Sequence, residues 1–181
     1  MVVGGARAHV KLELDGAGKV DLDGASGFLN HMLHAFARMG GIDIVAKADG
    51  GMSSQRAHAL GKALGQAIDD ALGDRKGIRR YGWASVPMDE SLAQVSLDFS
   101  GRPYLVMKGQ FKDDFIGDLN AQQVMVLIES IVEEAHLTLN ATFEGHNDHH
   151  KAESLFKAFG LALKDAKKVE GKEVLSTKGL L

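Results

Sequence analysis

The sequence contains no cysteine and only two prolines in 181 residues. The absence of cysteine limits the kinds of cross-link and metal site that the chain can form. Without thiols there is no disulfide and no thiolate ligand, so a bound metal would need imidazole, carboxylate or water. A run of about 18 apolar residues and a signal-peptide pattern are also absent, which predicts no membrane partner. We therefore expect a cytoplasmic protein.

A basic surface is the next feature that the sequence lacks. The formal net charge is −3 and no cluster of lysine and arginine stands out, so we expect no nucleic-acid partner. The apolar fraction of 45% and the charged fraction of 25% are ordinary for a globular protein. Eight histidines are a generous number for this length, and five of them lie near the predicted helix–strand–helix units: His34, His136, His146, His149 and His150.

An ungapped internal repeat relates residues 42–70 to residues 137–165 at a constant offset of 95 positions. The identical pairs are Ala46/Ala141, Gly50/Gly145, Ala57/Ala152, Leu60/Leu155, Lys62/Lys157, Ala63/Ala158, Gly65/Gly160, Ala67/Ala162 and Asp70/Asp165. We interpret the chain as a single domain over residues 1–181 with an internal pseudo-repeat. Its first half covers about 1–90 and its second half about 91–181.

Hydrophobic periodicity predicts the secondary structure of both halves. The predicted elements are a hairpin over 7–23, a helix capped by Ser26 and ended by Gly40-Gly41, a strand over 42–48, a helix over 53–72, strands within 81–110, a helix over 119–134, a strand over 137–143 and a helix over 148–167. Repeated helix–strand–helix units interleaved with hairpins predict an α+β fold, with helices packed against one face of each sheet.

Two adjacent histidines and a glutamate lie at the predicted start of the last helix. Asn147 or Asp148 is a suitable N-cap, which places His149, His150 and Glu153 in the first turns. Glu153 shares a helix face with each histidine, whereas the histidines are about 100° apart and would serve two ions, or one ion and one substrate. Such donors suit Mn²⁺, Fe²⁺ or Zn²⁺. The alternative is a capped helix with two polar surface histidines, and spacing alone leaves both open.

The first copy of the repeat has the surroundings of this motif without its chemistry. The positions that match the two histidines and the glutamate are Ser54, Gln55 and His58. His58 could supply an imidazole, although an exposed position on a helix is the commoner role for such a residue. The sequence therefore predicts a metal-type cluster in one copy only.

His31 is a third candidate ligand, and it lies on a predicted helix flanked by apolar residues. A lone histidine in such a helix is more often a core residue than a ligand. We expect His34, one turn further on, to be solvated. His136 and His146 flank the strand of the second repeat, where a surface or loop position is the commoner role.

Three turns combine a cation with glycine, a pattern typical of phosphate binding by backbone N–H groups and side chains. The turns are Arg79-Arg80-Tyr81-Gly82, Ser100-Gly101-Arg102-Pro103 and Ser176-Thr177-Lys178-Gly179. The alternative for each turn alone is an exposed charge. Together with the histidine cluster, the three turns favour a phosphorylated substrate.

Several segments, in this order, match motifs of one enzyme family. They are Gly27-Phe28-Leu29-Asn30-His31-Met32-Leu33, Ala71-Leu72-Gly73-Asp74-Arg75-Lys76-Gly77-Ile78 with Arg80-Tyr81-Gly82, Pro87-Met88-Asp89-Glu90, Asp98-Phe99-Ser100-Gly101-Arg102-Pro103-Tyr104, Gly145-His146-Asn147-Asp148-His149-His150 with Glu153 and Phe156-Lys157-Ala158-Phe159, and Ser176-Thr177-Lys178-Gly179. With these motifs the chain resembles imidazoleglycerol-phosphate dehydratase of histidine biosynthesis over nearly its whole length.

This resemblance implies a duplicated fold in which four helices pack between two mostly antiparallel or mixed four-stranded sheets. It also implies a homo-oligomer, in which trimers build a 24-subunit shell with sites at subunit interfaces. The implied reaction is metal-dependent dehydration of imidazole glycerol phosphate to imidazole acetol phosphate. In the family, two Mn²⁺ ions hold the imidazole of the substrate as imidazolate and act as Lewis acids.

The resemblance assigns roles by position. His31, His149, His150 and Glu153 match metal ligands, and His31 and Glu153 are also the expected catalytic residues. The residues that match the phosphate-binding set are Arg80, Arg102, Ser176 and Lys178.

The sequence departs from the family pattern mainly in the first repeat. The family motif His-His-x-x-Glu-Asp reads Ser-Gln-Arg-Ala-His-Ala over residues 54–59. Family histidines fall on Asn140 and Met39, and an acidic residue near the family N-terminus falls near Gly5. Because about half of the expected ligands are absent, we expect fewer than two tightly bound Mn²⁺ ions per chain.

Two functional interpretations follow. The first is a dehydratase that keeps one metal on His31, His149 and Glu153. The alternative is a catalytically impaired, repurposed or engineered relative that binds a phosphorylated ligand, or that forms a shell without turnover. The two differ in whether the purified protein forms imidazole acetol phosphate.

Overall fold

The computed structural model describes residues 1–176, which form two four-stranded sheets, four helices and a two-stranded ribbon. The strands are β1 (Val2–Val3), β2 (Ala6–Glu13), β3 (Val20–Asp23), β4 (Asp43–Asp49), β5 (Tyr81–Met88), β6 (Ser91–Asp98), β7 (Tyr104–Lys108), β8 (Phe115–Ile116), β9 (Leu119–Asn120) and β10 (Thr138–Glu144). The helices are α1 (Gly27–Gly40), α2 (Ser53–Leu72), α3 (Ala121–Glu134) and α4 (Asp148–Ala166). The predicted α+β fold, with helices between two mixed sheets, is confirmed.

The two sheets have the same topology. The first has the order β1-β2-β4-β3 and the second the order β5-β6-β10-β7. In each, the third strand in this order is antiparallel to the second and parallel to the fourth. The helices then pack across the two halves, α1 on α4 and α2 on α3, so that one core is shared.

The predicted hairpin over residues 7–23 is wrong, although both of its strands exist. β4 lies between β2 and β3, and β3 runs parallel to β4. Asp43, the first residue of β4, accepts hydrogen bonds from the amides of Ala17 and Lys19 at 2.8 Å each, which fastens the connecting loop to β4. Alternation of polar and apolar residues identifies strands but does not specify their neighbours.

The helix boundaries follow from local capping. The hydroxyl of Ser26 accepts the amide of Leu29 at 3.1 Å, and Gly41 ends α1 in the left-handed conformation at φ 59°. The predicted helix start near Leu119 is corrected, because Leu119 belongs to β9 and Asn120 caps α3. Among residues 1–176, no helix is both long and apolar enough to cross a membrane.

A matched pair of glycines sets both helix crossings. A Cβ on Gly160 would lie 2.4 Å from the carbonyl oxygen of Phe36, at the crossing of α1 and α4. Its repeat mate, Gly65, would place a Cβ 2.6 Å from the carbonyl oxygen of Ile131, at the crossing of α2 and α3. Only a residue without a side chain permits such a close approach between backbones.

We expect Gly160→Ala and Gly65→Ala each to lower the free energy of unfolding by about 2 kcal/mol. Overpacking costs about 1–3 kcal/mol, and here the added methyl group would meet backbone atoms that cannot rotate away. Urea unfolding of the purified variants measures the loss. Gly171→Ala is the control, because a Cβ there would meet nothing closer than 3.9 Å. Equal stability of the three variants would contradict this account of the crossings.

Candidate metal centre and anion-binding edge

Three side chains from two helices converge at one end of the α1–α4 pair. Nε2 of His31 and Nε2 of His149 each lie 3.1 Å from the same carboxylate oxygen, Oε2 of Glu153. The three candidate ligand atoms all lie within 4.8 Å of one another. Two imidazole nitrogens and one carboxylate oxygen form a donor set that suits Mn²⁺, Fe²⁺ or Zn²⁺. The residues present therefore fit a divalent metal ion.

Local sequence explains why these groups meet. The side-chain oxygen of Asn147 accepts the amides of His149 and His150 at 2.9 and 3.3 Å, which starts α4 at the predicted place. His149 and Glu153 are four positions apart and so share one helix face. The ring of Phe28 on α1 meets the ring of His149 edge-on, with the centroids 5.2 Å apart.

His31 is not the buried core residue that its apolar neighbours favoured. Its side chain is 47% exposed and that of His149 is 45% exposed, whereas the side chain of Glu153 is only 11% exposed. The carboxylate therefore lies at the base of the cluster and the two imidazoles line its open side. This arrangement leaves room for further ligands from solvent or from a substrate.

Glu153 is ionised in spite of its burial. Burial raises its pKa, but hydrogen bonds from Lys157 and His31 outweigh this effect and hold the pKa below its usual value. Nζ of Lys157 lies 2.8 Å from Oε1, the oxygen that faces away from the histidines. From sequence, Lys157 was noted only as one of the identical residues of the repeat. Its spacing of four positions from Glu153 was the signal that could have predicted this contact.

His150 does not join the other three predicted ligands. Its Nδ1 lies 2.8 Å from Oε2 of Glu90, and its Nε2 lies 3.7 Å from a carboxylate oxygen of Asp89. Its ring centroid is 6.2 Å from that of His149, in agreement with the angle between adjacent helical residues. The structure thus brings His31, His149 and Glu153 together and directs His150 towards the turn between β5 and β6.

Glu90 also organises the approach to α4. Besides His150, it accepts the amides of His146 and Asn147 at 3.0 and 2.8 Å. The hydrogen bonds from His150, the largest cause, and from the amide of Asn147 lower the pKa of Glu90 far below its usual range. The carboxylate of Glu90 thus holds the chain that leads into the first turn of α4, which carries His149.

The repeat-related counterpart of this cluster, on α2 and α3, has no converging set of ligands in the described residues. At the offset of 95 positions, the residues that correspond to His149, Glu153 and His31 are Ser54, His58 and Val126. The correspondence of Val126 with His31 was missed from sequence, because the recognised repeat did not extend to α1 and α3. Two clefts, of about 470 and 610 Å³, share Val126 as a lining residue; Ser54 lines the smaller and His58 the larger. Within residues 1–176, no second group of three or more converging histidine or acidic side chains is found.

The two side chains that follow Ser54 at the start of α2 have structural contacts instead. Oε1 of Gln55 accepts the amide of Met52 at 2.8 Å. Arg56 donates to the carbonyl oxygens of Gly50 and Gly51 at 3.2 and 3.0 Å. Both side chains therefore hold the loop that precedes α2.

The predicted phosphate-binding residues lie near the end of the chain and the ends of β5 and β6. Arg80 makes a two-point ion pair with Asp98 at 2.6 and 3.1 Å, which raises the pKa of Arg80, and it donates to the carbonyl oxygen of Leu175 at 2.6 Å. The amide of Phe99 bonds to the carbonyl oxygen of Arg80 at 3.1 Å, so the turn with exposed Arg102 adjoins Arg80.

The tail that carries Ser176 is attached beside Arg80. The carbonyl oxygen of Gly77 accepts the amides of Glu170 and Gly171 at 2.8 and 3.0 Å, and the amide of Gly77 donates to Glu173. Ser176 is the residue after Leu175, whose carbonyl oxygen accepts the hydrogen bond from Arg80. Lys178, the fourth predicted phosphate ligand, lies outside the described residues.

The remaining histidines are separate from the cluster. His34 and His146 are exposed, in agreement with the prediction from sequence. His136 is exposed too, with Nδ1 3.3 Å from a carboxylate oxygen of Asp69. None of these three joins the group formed by His31, His149 and Glu153.

Comparison with known proteins gives one consistent result. A family model described as imidazoleglycerol-phosphate dehydratase matches residues 25–163. The enzyme of that name from Methanococcoides burtonii is 45% identical over an alignment of 180 positions, which covers 96% of this chain and 92% of the relative. That from Methanothermobacter thermautotrophicus is 47% identical over an alignment of 182 positions, with the same coverage.

Solved structures with this fold carry the same description. Imidazoleglycerol-phosphate dehydratase from Staphylococcus aureus has a TM-score of 0.84 at 32% identity and covers 90% of this chain and 94% of its own. The enzyme from Pyrococcus furiosus in complex with (S)-C348 has a TM-score of 0.87 at 29% identity, with coverage of 100% and 99%. Nothing in these comparisons favours the alternative of a binding or shell-forming protein.

In the metal-free protein, we expect the pKa of His150 above its ordinary value of 6.5, chiefly because of the hydrogen bond to Glu90. Glu90→Gln should lower this pKa, as measured by NMR titration of the ring protons. Because the folded-state pKa of His150 is raised and that of Glu90 is lowered from its ordinary value of 4.5, the pair stabilises the fold fully between about pH 4.5 and 6.5. This contribution is lost as the pH rises through the folded-state pKa of His150, and also as it falls towards the folded-state pKa of Glu90.

Asp89→Asn is the matched control for this titration. It removes a carboxylate whose effect on His150 is smaller than that of Glu90, so most of the increase in pKa should persist. A pKa of His150 that Glu90→Gln leaves unchanged would contradict the assignment.

Proposed function

Because the chain belongs to the imidazoleglycerol-phosphate dehydratase family, we propose that it dehydrates imidazole glycerol phosphate to imidazole acetol phosphate with one Mn²⁺ ion per chain. The observation that carries this proposal is the convergence of His31 and His149 on one oxygen of Glu153. This reaction would place the chain in histidine biosynthesis.

The three convergent residues are the proposed metal ligands, with His150 as a further ligand only after it leaves Glu90. Lewis-acid polarisation of the imidazole ring of the substrate is the chemistry that such an ion supplies when bound. The open side of the cluster, lined by His31 and His149, is where the imidazole of the substrate would lie. The carboxylate of Glu153, buried beneath them, fixes both imidazoles in one orientation.

The dehydration removes a proton from one carbon and releases the hydroxyl group of its neighbour as water. His31 and Glu153 are the proposed catalytic residues, because His31 lines the open side of the cluster and Glu153 lies directly beneath it. A carboxylate that stays ionised can accept a proton, and the nearby ammonium group of Lys157 keeps Glu153 in this form. By lowering the pKa of Glu153, Lys157 favours the ionised carboxylate that a metal ion requires, and it makes this carboxylate a weaker proton acceptor.

The phosphate of the substrate is proposed to bind at Arg80, Arg102, Ser176 and Lys178. Asp98 holds the guanidinium group of Arg80 in a fixed plane through two hydrogen bonds, which prepares the rest of the group for an anion. Arg102 is exposed and supplies a second positive charge. The contact of Arg80 with Leu175 supports a role for the tail in this site.

The chain is also proposed to act as one domain within a homo-oligomer. Packing of α1 on α4 and of α2 on α3 joins the two halves, which supports a single unit over residues 1–181. On the outer face of the second sheet, Trp83 is 61% exposed and Tyr104 is 66% exposed, and exposed aromatic groups of this kind favour contacts between subunits. Assembly of trimers into a 24-subunit particle follows from the resemblance, and light scattering would measure it.

We expect about one Mn²⁺ per chain after loading, measured by elemental analysis together with calorimetry. His149→Ala and Glu153→Gln should weaken binding more than about 100-fold, beyond the effect of losing an outer-shell partner. The same variants should abolish formation of imidazole acetol phosphate. His58→Ala is the matched control, because His58 belongs to the repeat-related counterpart on α2 and α3, which has no converging ligand set within the described residues. This variant should bind Mn²⁺ as the unaltered chain does. Two tight ions per chain, or none, would contradict the proposal.

Arg102→Gln should raise the KM for imidazole glycerol phosphate about tenfold or more while Mn²⁺ binding stays the same. A hydrogen bond to a charged group contributes about 1.5–3 kcal/mol, which corresponds to this range. Steady-state kinetics at saturating Mn²⁺ provide the measurement. Lys11→Gln, on the outer face of the first sheet, removes a similar charge elsewhere and should leave KM unchanged. An unaltered KM for Arg102→Gln would remove Arg102 from the phosphate site.

A further inference from the structure

One connecting segment touches the N-termini of both helices that carry the proposed ligands. This segment, residues 110–120, joins β7 to α3 and is called the strap here. His31 lies on α1, and His149 and Glu153 lie on α4. Neither the proposed reaction nor the proposed ligands account for the contacts of the strap.

The first attachment is to α4. The carboxylate of Asp148 accepts the amides of Lys112 and Asp113 at 2.7 and 2.8 Å. Lys151 forms an ion pair with Asp148 and donates to the carbonyl oxygen of Gln110 at 2.7 Å. Asp148 is 7% exposed and Lys151 is 2% exposed, so this attachment is buried. It includes the residue directly before His149 and the residue directly after His150.

The second attachment is to α1. The two carboxylate oxygens of Asp118 accept the amides of Gly27 and Phe28 at 2.7 and 2.9 Å. These are the first amides of α1, which have no partner within the helix, and a negative charge there is favourable. Phe28 in turn places its ring edge-on against His149. The strap therefore acts on the cluster from both helices.

The two attachments are linked through a short and rigid path. β8 and β9 pair within the strap, with Phe115 opposite Asn120 and Ile116 opposite Leu119. The amide of Ala121 also donates to the carbonyl oxygen of Asp114 at 2.9 Å. A displacement at one end is thus expected to reach the other end.

Among residues 1–176, the repeat-related helix pair, α2 and α3, lacks the ligand set and also lacks these attachments. The repeat offset places Ser53 and Arg56 at the positions of Asp148 and Lys151, so the carboxylate is absent, and Arg56 contacts the preceding loop instead. Asp23 falls on the position of Asp118, but it pairs with Lys47 at 3.4 Å while Asn120 caps α3. In the described residues, ligands and attachments thus occur together at one helix pair, α1 and α4.

We propose that the strap holds the N-termini of α1 and α4 in the relative position that the metal ligands need. Asp118 and Asp148 are positioning residues in this role, and Lys151 supports Asp148. The inference rests on the proposed metal centre for its functional meaning. Ligands act only when their neighbours fix them within about 0.5 Å of the required geometry, and a two-helix site needs such a restraint between the helices.

Hydrogen–deuterium exchange of the metal-free, full-length protein tests the coupling. Asp118→Asn should speed exchange about threefold at residues 27–30, and also at residues 148–151 on the other helix. The double variant Asp148→Asn with Lys151→Met leaves no buried unpaired charge, and it should speed exchange at residues 27–30 as well. If each variant loosens only its own helix, the proposal is overturned.

Asp43→Asn is the matched control. Asp43 also accepts two backbone amides from a loop, at 2.8 Å each, but it lies at the start of β4 beyond the other end of α1. This variant should speed exchange near residues 17–19 and leave residues 27–30 and 148–151 unchanged. Faster exchange at the metal helices in this control would show general loosening and would overturn the specific role of the strap.

Binding of Co²⁺, followed by its visible absorption, provides a second readout. Asp118→Asn should weaken the affinity about 10- to 100-fold and change the absorption bands, as loss of an outer-shell support does. Asp43→Asn should do neither. If all variants bind Co²⁺ equally, the strap has no role in the site and the proposal fails. If the unaltered chain binds no Co²⁺, the proposed metal centre fails instead, while the exchange experiment still decides the coupling.

Discussion

The close crossing of α1 and α4 at Gly160 is the constraint on which the rest of the site depends. At position 160 of α4, any side chain would touch the backbone carbonyl oxygen of Phe36 on α1. This contact brings His31 to the helix face that carries His149 and Glu153. Without it, the motif at the start of α4 would be two ligands on a surface helix. Local spacing creates half of the cluster, and packing between helices completes it.

The sequence correctly predicted those features of the site that depend on neighbouring residues in the chain. The caps at Ser26 and Asn147 and the four-residue spacing of His149 and Glu153 gave the helix starts and the shared face correctly. The turn of His150 away from His149 also followed from helical geometry. These features depend on a few neighbouring residues, so a pattern in the chain carries the whole information.

Sequence was insufficient where the partner is distant along the chain. The position of β3 depends on Asp43, which anchors a loop more than 20 residues earlier, and no periodicity records this. Asp118 caps a helix that begins some 90 residues before it. The burial of Lys151 was equally hidden, because a lysine in an amphipathic helix is usually solvated. Such contacts follow from the tertiary arrangement, which turns exposed residue types into buried ones.

The internal repeat separates packing from chemistry within one molecule. Gly65 keeps the role of Gly160, yet Lys62, the mate of Lys157, pairs with glutamates of α3 instead of an acid on its own helix. The crossings constrain both halves because both form the shared core. Ligands constrain only the α1–α4 helix pair that holds them, so the two kinds of residue can differ independently between the two helix pairs.

The contacts of Arg56 limit what could be built at the start of α2. Its guanidinium group holds the loop before this helix through the carbonyl oxygens of Gly50 and Gly51, so ligands introduced beside it would have to fit a loop that is already fixed. A metal site engineered at this position would therefore need the loop anchor and the ligands to be redesigned together.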